Sequence, residues 1–171
     1  MQSNFDAANN PNTILSTLKE IKDAKDNGCA IMVVESRNDP AIESSKYPLS
    51  YQFENTHEVI LNEIKDYERS AVISKHECNG SFYIKEFLLE ADCDFNIDKF
   101  RVCGVNTDAC VASTINNMAD DLFDAEFQIV KAACNYDPIL TVKGKYGSMY
   151  DNDKKYNPFK AFNPEANIKI V

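Results

Sequence analysis

Arg101-Val102-Cys103-Gly104-Val105-Asn106-Thr107-Asp108-Ala109-Cys110-Val111-Ala112-Ser113-Thr114 decides how this chain folds. A short apolar run closes in Gly104-Val105, passes through a polar tight segment, and delivers Cys110 to the start of an amphipathic helix. Val111, Thr114, Ile115, Met118, Ala119 and Leu122 recur at helical spacing and share one side. A thiol on the first turn of a helix stands near unpaired backbone N–H groups and the positive end of the helix dipole. Both stabilise the thiolate, which is the nucleophilic form. The competing reading is a buried cysteine that acts as a small hydrophobe.

Strands and helices alternate on either side of this stretch. Ile14, Leu18 and Ile21 mark a first helix with Pro11 just ahead, Asn12 or Thr13 as its cap, and Asn27-Gly28 as its stop. Cys29-Ala30-Ile31-Met32-Val33-Val34 reads as a buried strand, and residues 35–55 as a long polar loop containing Pro40 and Pro48. Val59, Ile60, Ile64 and Tyr67 mark a second helix, capped near Asn55 or Thr56. Ala71-Val72-Ile73 is a short strand ending at Lys75, and Ser81 caps a third helix bearing Phe82, Phe87, Leu88 and Ala91. Residues 100–105 form the strand before Cys110. Phe127-Gln128-Ile129-Val130-Lys131-Ala132-Ala133-Cys134 forms the one after its helix, and Ile168-Lys169-Ile170-Val171 a last strand. Such alternation predicts an α/β fold with a parallel sheet covered on both sides. Ligands of a sheet of this kind bind beyond the carboxyl ends of its strands. Lys75 and Cys110 both lie just past strand ends, so they are expected to share one pocket.

Composition narrows the function. A chain of 171 residues reads as a single domain, residues 1–171, with a divergent tail from about 136. The net charge of −9 argues against nucleic acid and anionic membranes as partners and favours solubility. No apolar run approaches the length of a membrane span, and no basic-then-apolar signal opens the chain. Its six cysteines contain no Cys-x-x-Cys pair and read as reduced thiols in the cytoplasm. The tail aromatics Tyr136, Tyr146, Tyr150, Tyr156, Phe159 and Phe162 cover the site, meet another subunit, or form a satellite core. Asp120, Asp121 and Asp124 read as a solvated helix face.

Gly104-Val105-Asn106-Thr107-Asp108-Ala109-Cys110-Val111 resembles the nucleophile segment of the isochorismatase-like cysteine hydrolases, the superfamily that includes nicotinamidases. Members typically read Gly-Val-x-Thr-x-x-Cys-Val. Val72-Ile73-Ser74-Lys75 is similar to the family's Val-Ile-x-Lys. The resemblance runs from Met1 to Cys134 and implies a three-layer α/β/α fold with a mostly parallel sheet. It implies Cys110 as nucleophile and Lys75 as a lysine that assists it and helps to hold a carboxylate. It implies a cis peptide at Val105–Asn106, with the Asn106 and Cys110 amides forming an oxyanion hole. The reaction implied is metal-independent cleavage of a C–N bond in a small amide or ureido compound through an acyl-enzyme, in a homo-oligomer.

Two departures from the family pattern bear on mechanism. The family's aspartate, within Asp-x-Gln-x-x-Phe at the end of the first strand, serves as general base and acid. Met1-Gln2-Ser3-Asn4-Phe5 matches that pattern from the residue after the aspartate, so the acid and its central strand would fall before Met1. Either the chain starts upstream or it has dispensed with the acid, leaving exposed sheet edges; Asp6 is a substitute or an ordinary loop residue. Nicotinamidases also carry an Asp-x-His…His metal set, whereas Glu35-Ser36-Arg37-Asn38-Asp39-Pro40 contains no histidine. No metal and no other cofactor is therefore expected. His57 is expected at a helix start as a cap or surface residue, and His76 either lines the pocket or is a polar neighbour. Loss of the acid also keeps open a non-catalytic, ligand-binding or oligomeric relative. A redox-sensing thiol is the third reading, and needs a resolving cysteine near Cys110; Cys103 lies within the preceding strand.

Overall fold

The computed structural model describes residues 1–38, 53–90, 97–135, 159 and 163–171. The first helix, α1 (Pro11–Asp26), is capped by Asn10 and not by Asn12 or Thr13. The Asn10 side-chain oxygen accepts from the Asn12 and Thr13 N–H groups at 3.0 and 3.4 Å. Pro11 takes the first helical position, where an N–H would have no partner in the helix. Asn27 and Gly28 end α1, Gly28 at a φ of 66° that a side chain would strain.

Strand β1 (Ile31–Ser36) pairs in parallel with β2 (Ser70–Lys75), from Ile31 opposite Ser70 to Ser36 opposite Lys75. Strand β3 (Lys99–Gly104) pairs in parallel with β4 (Glu126–Cys134), which in turn pairs in parallel with β5 (Asn167–Ile170). Helix α2 (Glu58–Ile64) is shorter than its apolar spacing suggests. Tyr67 lies beyond it and donates its hydroxyl to the Cys29 carbonyl at 2.6 Å. Helix α3 (Ser81–Glu90) is entered through Asn79, whose side-chain oxygen accepts from the Ser81 N–H at 2.9 Å. Ser81 is thus inside the helix. Helix α4 (Ala112–Asp121) follows Cys110.

Among the described residues the strands make two sheets, β1-β2 and β3-β4-β5, with no described strand joining β1 to β3. The Met1 amino group is buried near Glu35 and Cys103, at the ends of β1 and β3, and burial lowers its pKa to about 6. Gln2 bridges antiparallel to Thr56.

Packing joins the two sheets through shared helices. Met32 and Val34 of β1, with Phe100 and Val102 of β3, pack against Ile84 of α3 and Ala112, Ile115, Met118 and Ala119 of α4. The alternate β1 residues, Ile31 and Val33, face Ile21 of α1 and Ile60 and Ile64 of α2. Side chains of a strand point alternately to its two faces, so β1 is covered on both, and the architecture is a three-layer α/β/α sandwich. Phe127 of β4 is fully buried and stacks on Phe100, with ring centroids 4.8 Å apart and an interplanar angle of 6°. Phe127→Ala should cost about 3–5 kcal/mol, since the cavity cannot collapse between two strands. Urea denaturation would register it as a lower midpoint at unchanged slope.

Candidate active site

Cys110 stands on one π-helical turn, Thr107–Val111, that runs directly into α4. Hydrogen bonds to neighbouring backbone hold this turn in place. The Thr107 N–H and hydroxyl both donate to the Asn135 carbonyl, at 2.9 and 2.7 Å, which ties the exit of β3 to the exit of β4. Thr107 is fully buried, and the Asn135 side chain donates to the Ala7 carbonyl at 3.0 Å. The Val105–Asn106 peptide is cis, as the resemblance implied. Asn106 is buried, and its side-chain oxygen has no hydrogen-bond partner among the described residues.

Lys75 ends β2 and is only 5 % exposed. Its ammonium donates to the Glu77 and Cys78 carbonyls at 2.7 and 2.9 Å, so residues 76–80 wrap around it. Gly80 fits that wrapping closely: a Cβ there would stand 3.0 Å from the Lys75 Cδ and 3.3 Å from the Thr114 hydroxyl, so those side chains would have to give by a few tenths of an ångström. The Gly80 N–H donates to the Thr114 hydroxyl at 2.8 Å, which fastens the loop to α4. The Cys78 thiol reaches the Cys110 sulfur at 3.5 Å as a hydrogen-bond donor. Lys75 and Cys110 therefore meet through a single loop: Lys75 grips its backbone, and the loop's thiol touches Cys110. A hydrogen bond given to sulfur favours the thiolate.

The remaining candidates lie elsewhere or play other parts. Cys103 is on the opposite face of β3 from Val102, the side where Arg101 pairs with Glu20 of α1. Burial pushes its thiol far up, which favours the protonated form. Burial likewise pushes Cys134 up to about 11. Asp6 is exposed on a 3-10 turn, Asp6–Asn9. Asp108, two residues before Cys110, has its carboxyl pKa raised by burial. Glu35 accepts from the Thr56 N–H at 2.6 Å and pairs with Arg37. Among the described residues no carboxylate lies within ion-pair distance of Lys75.

His57 precedes α2 without a side-chain capping bond. The His76 Nδ1 lies 3.0 Å from the Arg37 carbonyl, and its ring meets Tyr83 edge-on at 5.8 Å. No group of three His, Cys, Asp or Glu side chains among the described residues is arranged to hold a metal. The acidic helix face is partly employed: Asp120 accepts from the Asn163 N–H at 2.6 Å, and Asp121 pairs with Lys85. Of the tail aromatics, Phe159 is buried in the α3–α4 core. Tyr136, Tyr146, Tyr150, Tyr156 and Phe162 lie outside the described residues, as do Ala91, Pro40 and Pro48.

Residues 1–135 match the family model of the isochorismatase domain. The chain belongs to the isochorismatase-domain family. Solved structures with the same fold include pyrazinamidase/nicotinamidase from Streptococcus mutans, at 16% identity and a TM-score of 0.55, over 72% of this chain and 72% of that one. The nicotinamidase of Staphylococcus aureus matches at 15% identity and a TM-score of 0.55, over 73% and 72%. N-carbamoylsarcosine amidase from Thermoplasma acidophilum matches at 22% identity and a TM-score of 0.52, over 72% and 70%. Comparison with curated protein sequences finds no significant match. No helix among the described residues of this isochorismatase-domain chain is long and apolar enough to cross a membrane.

Cys78, Gly80 and Thr114 are the site residues that sequence reasoning missed. Cys78 and Cys110 are 32 positions apart, and no helical or strand period relates them. The Asn79-Gly80 pair close behind Lys75 is a turn signal that could have pointed to the loop.

Proposed function

We propose that this chain is a metal-independent cysteine hydrolase that cleaves the C–N bond of a small amide or ureido substrate. The observation that carries the reading is the loop of residues 76–80, gripped by the Lys75 ammonium and touching the Cys110 sulfur through Cys78. Lys75 is a buried cation whose hydrogen-bond acceptors are neutral carbonyls. Such a charge favours an anion beside it, and a Cys110 thiolate, or a carboxylate on the substrate, would supply that anion.

In the proposed reaction the Cys110 thiolate attacks the substrate carbonyl carbon, forming a C–S bond and an oxyanion. The Asn106 and Cys110 amides are the proposed donors to that oxyanion. Collapse breaks the C–N bond, and the departing nitrogen takes up a proton, the one released when the thiol ionised. Water then cleaves the thioester, giving the acid and restoring the thiol. The N-carbamoylsarcosine amidase and nicotinamidases among the structures that share its fold fit a substrate of this class. Cytoplasmic location and homo-oligomeric assembly belong to the same proposal.

A second reading, a ligand-binding relative without turnover, is favoured by one observation: no described carboxylate pairs with Lys75 to carry the proton. Alkylation separates the two. Iodoacetamide labelling of the native protein between about pH 5.5 and 8.5, read by peptide mass spectrometry, should modify Cys110 fastest at the acid end. Cys103 and Cys134 should stay unlabelled until the protein unfolds, because burial keeps both protonated. If Cys110 reacts no faster than exposed Cys29, the nucleophile is not activated and the binding reading replaces the hydrolase.

A further inference from the structure

Cys78 belongs to no feature of the family motif, yet its sulfur lies 3.5 Å from that of Cys110. We propose that Cys78 and Cys110 form a reversible disulfide with hydroperoxides as the oxidant, a modification that withdraws Cys110 from catalysis. The inference rests on the reading of Cys110 as nucleophile only for its consequence; the bond itself rests on geometry.

Both sulfurs are held from the same element. Cys110 sits on the turn that runs into α4, and the loop carrying Cys78 is fastened to α4 by the Gly80–Thr114 hydrogen bond. Lys75 clamps that loop through the Cys78 carbonyl. The separation is therefore set locally, and closing it to a bond of about 2.05 Å needs a shift of about 1.5 Å, within reach of side-chain rotation. Both cysteines are half-buried, so a small oxidant reaches them. Cys103 and Cys134 are kept protonated by burial and compete poorly.

The chemistry balances in two steps. The Cys110 thiolate attacks the hydroxyl oxygen of the hydroperoxide; an S–O bond forms, the O–O bond breaks, and the alkoxide leaves as the alcohol by taking up the proton released when the thiol ionised. Cys110 is then a sulfenic acid, oxidised by two electrons. The Cys78 sulfur attacks it; an S–S bond forms, the S–O bond breaks, and hydroxide leaves with the Cys78 proton as water. A dithiol reductant reverses the modification by exchange.

The full chain is treated with hydrogen peroxide and digested without reduction. A peptide pair linking Cys78 to Cys110, lighter by two hydrogens and separated by dithiothreitol, is the expected product. In Cys78→Ser the same treatment should leave Cys110 trapped by dimedone and then oxidised beyond recovery. Absence of the linked pair while Cys110 still oxidises overturns the proposal, as does a dominant link from Cys110 to any other cysteine. Amide hydrolysis by the reduced protein is measured in parallel. A disulfide without hydrolysis would sink the hydrolase reading and leave the thiol pair, and hydrolysis without a disulfide would do the opposite.

Discussion

Cys110→Ser will lower hydrolysis of the amide or ureido substrate by at least about a thousandfold while leaving the fold intact. A serine hydroxyl is a far weaker nucleophile than a thiolate unless a base takes its proton. The substitution is nearly isosteric at a half-buried position, so the melting temperature should move by no more than about a few degrees. Steady-state kinetics with the best substrate found by screening small amides and ureides, beside a thermal melt, measures both. Substantial residual turnover in a folded Cys110→Ser protein would remove Cys110 from the role of nucleophile.

Lys75→Met should be nearly as severe for turnover, about a hundredfold or more, through loss of the charge that favours the thiolate. The stability effect has opposing parts. Two part-buried carbonyls, those of Glu77 and Cys78, lose their donor, at about 1 kcal/mol each. Against this, a buried ammonium is removed, and replacing a buried charge by an apolar chain of similar length is often stabilising by about as much. Net stability should therefore change little while acid-end alkylation of Cys110 slows sharply. A large fall in melting temperature with unchanged labelling would mean that Lys75 braces the loop and does nothing for the thiol.

The alternation of strands and helices was legible because each element carries its own period. Thr114, Ile115, Met118 and Ala119 repeat at helical spacing and are all buried along α4. Errors fell at element ends, where capping decides. Asn10 caps α1, and Asn79 accepts from the Ser81 N–H at the entry to α3, because a side-chain oxygen must stand before the first turn to meet its N–H groups.

Within the site, the strand–turn–helix around Cys110 and the strand end at Lys75 were readable from residues close together in the chain. Their joint position beyond the strands follows from the parallel topology alone. What the sequence could not supply was the link between them. Cys78 touches Cys110 because the loop closes over Lys75 and the Gly80 N–H hydrogen-bonds to Thr114 on α4. Local periodicity determined the elements and the two candidate residues. The loop that brings Cys78 against Cys110 was decided by tertiary packing, because contact across two elements depends on how closely their backbones approach, and no periodicity within one element records that distance.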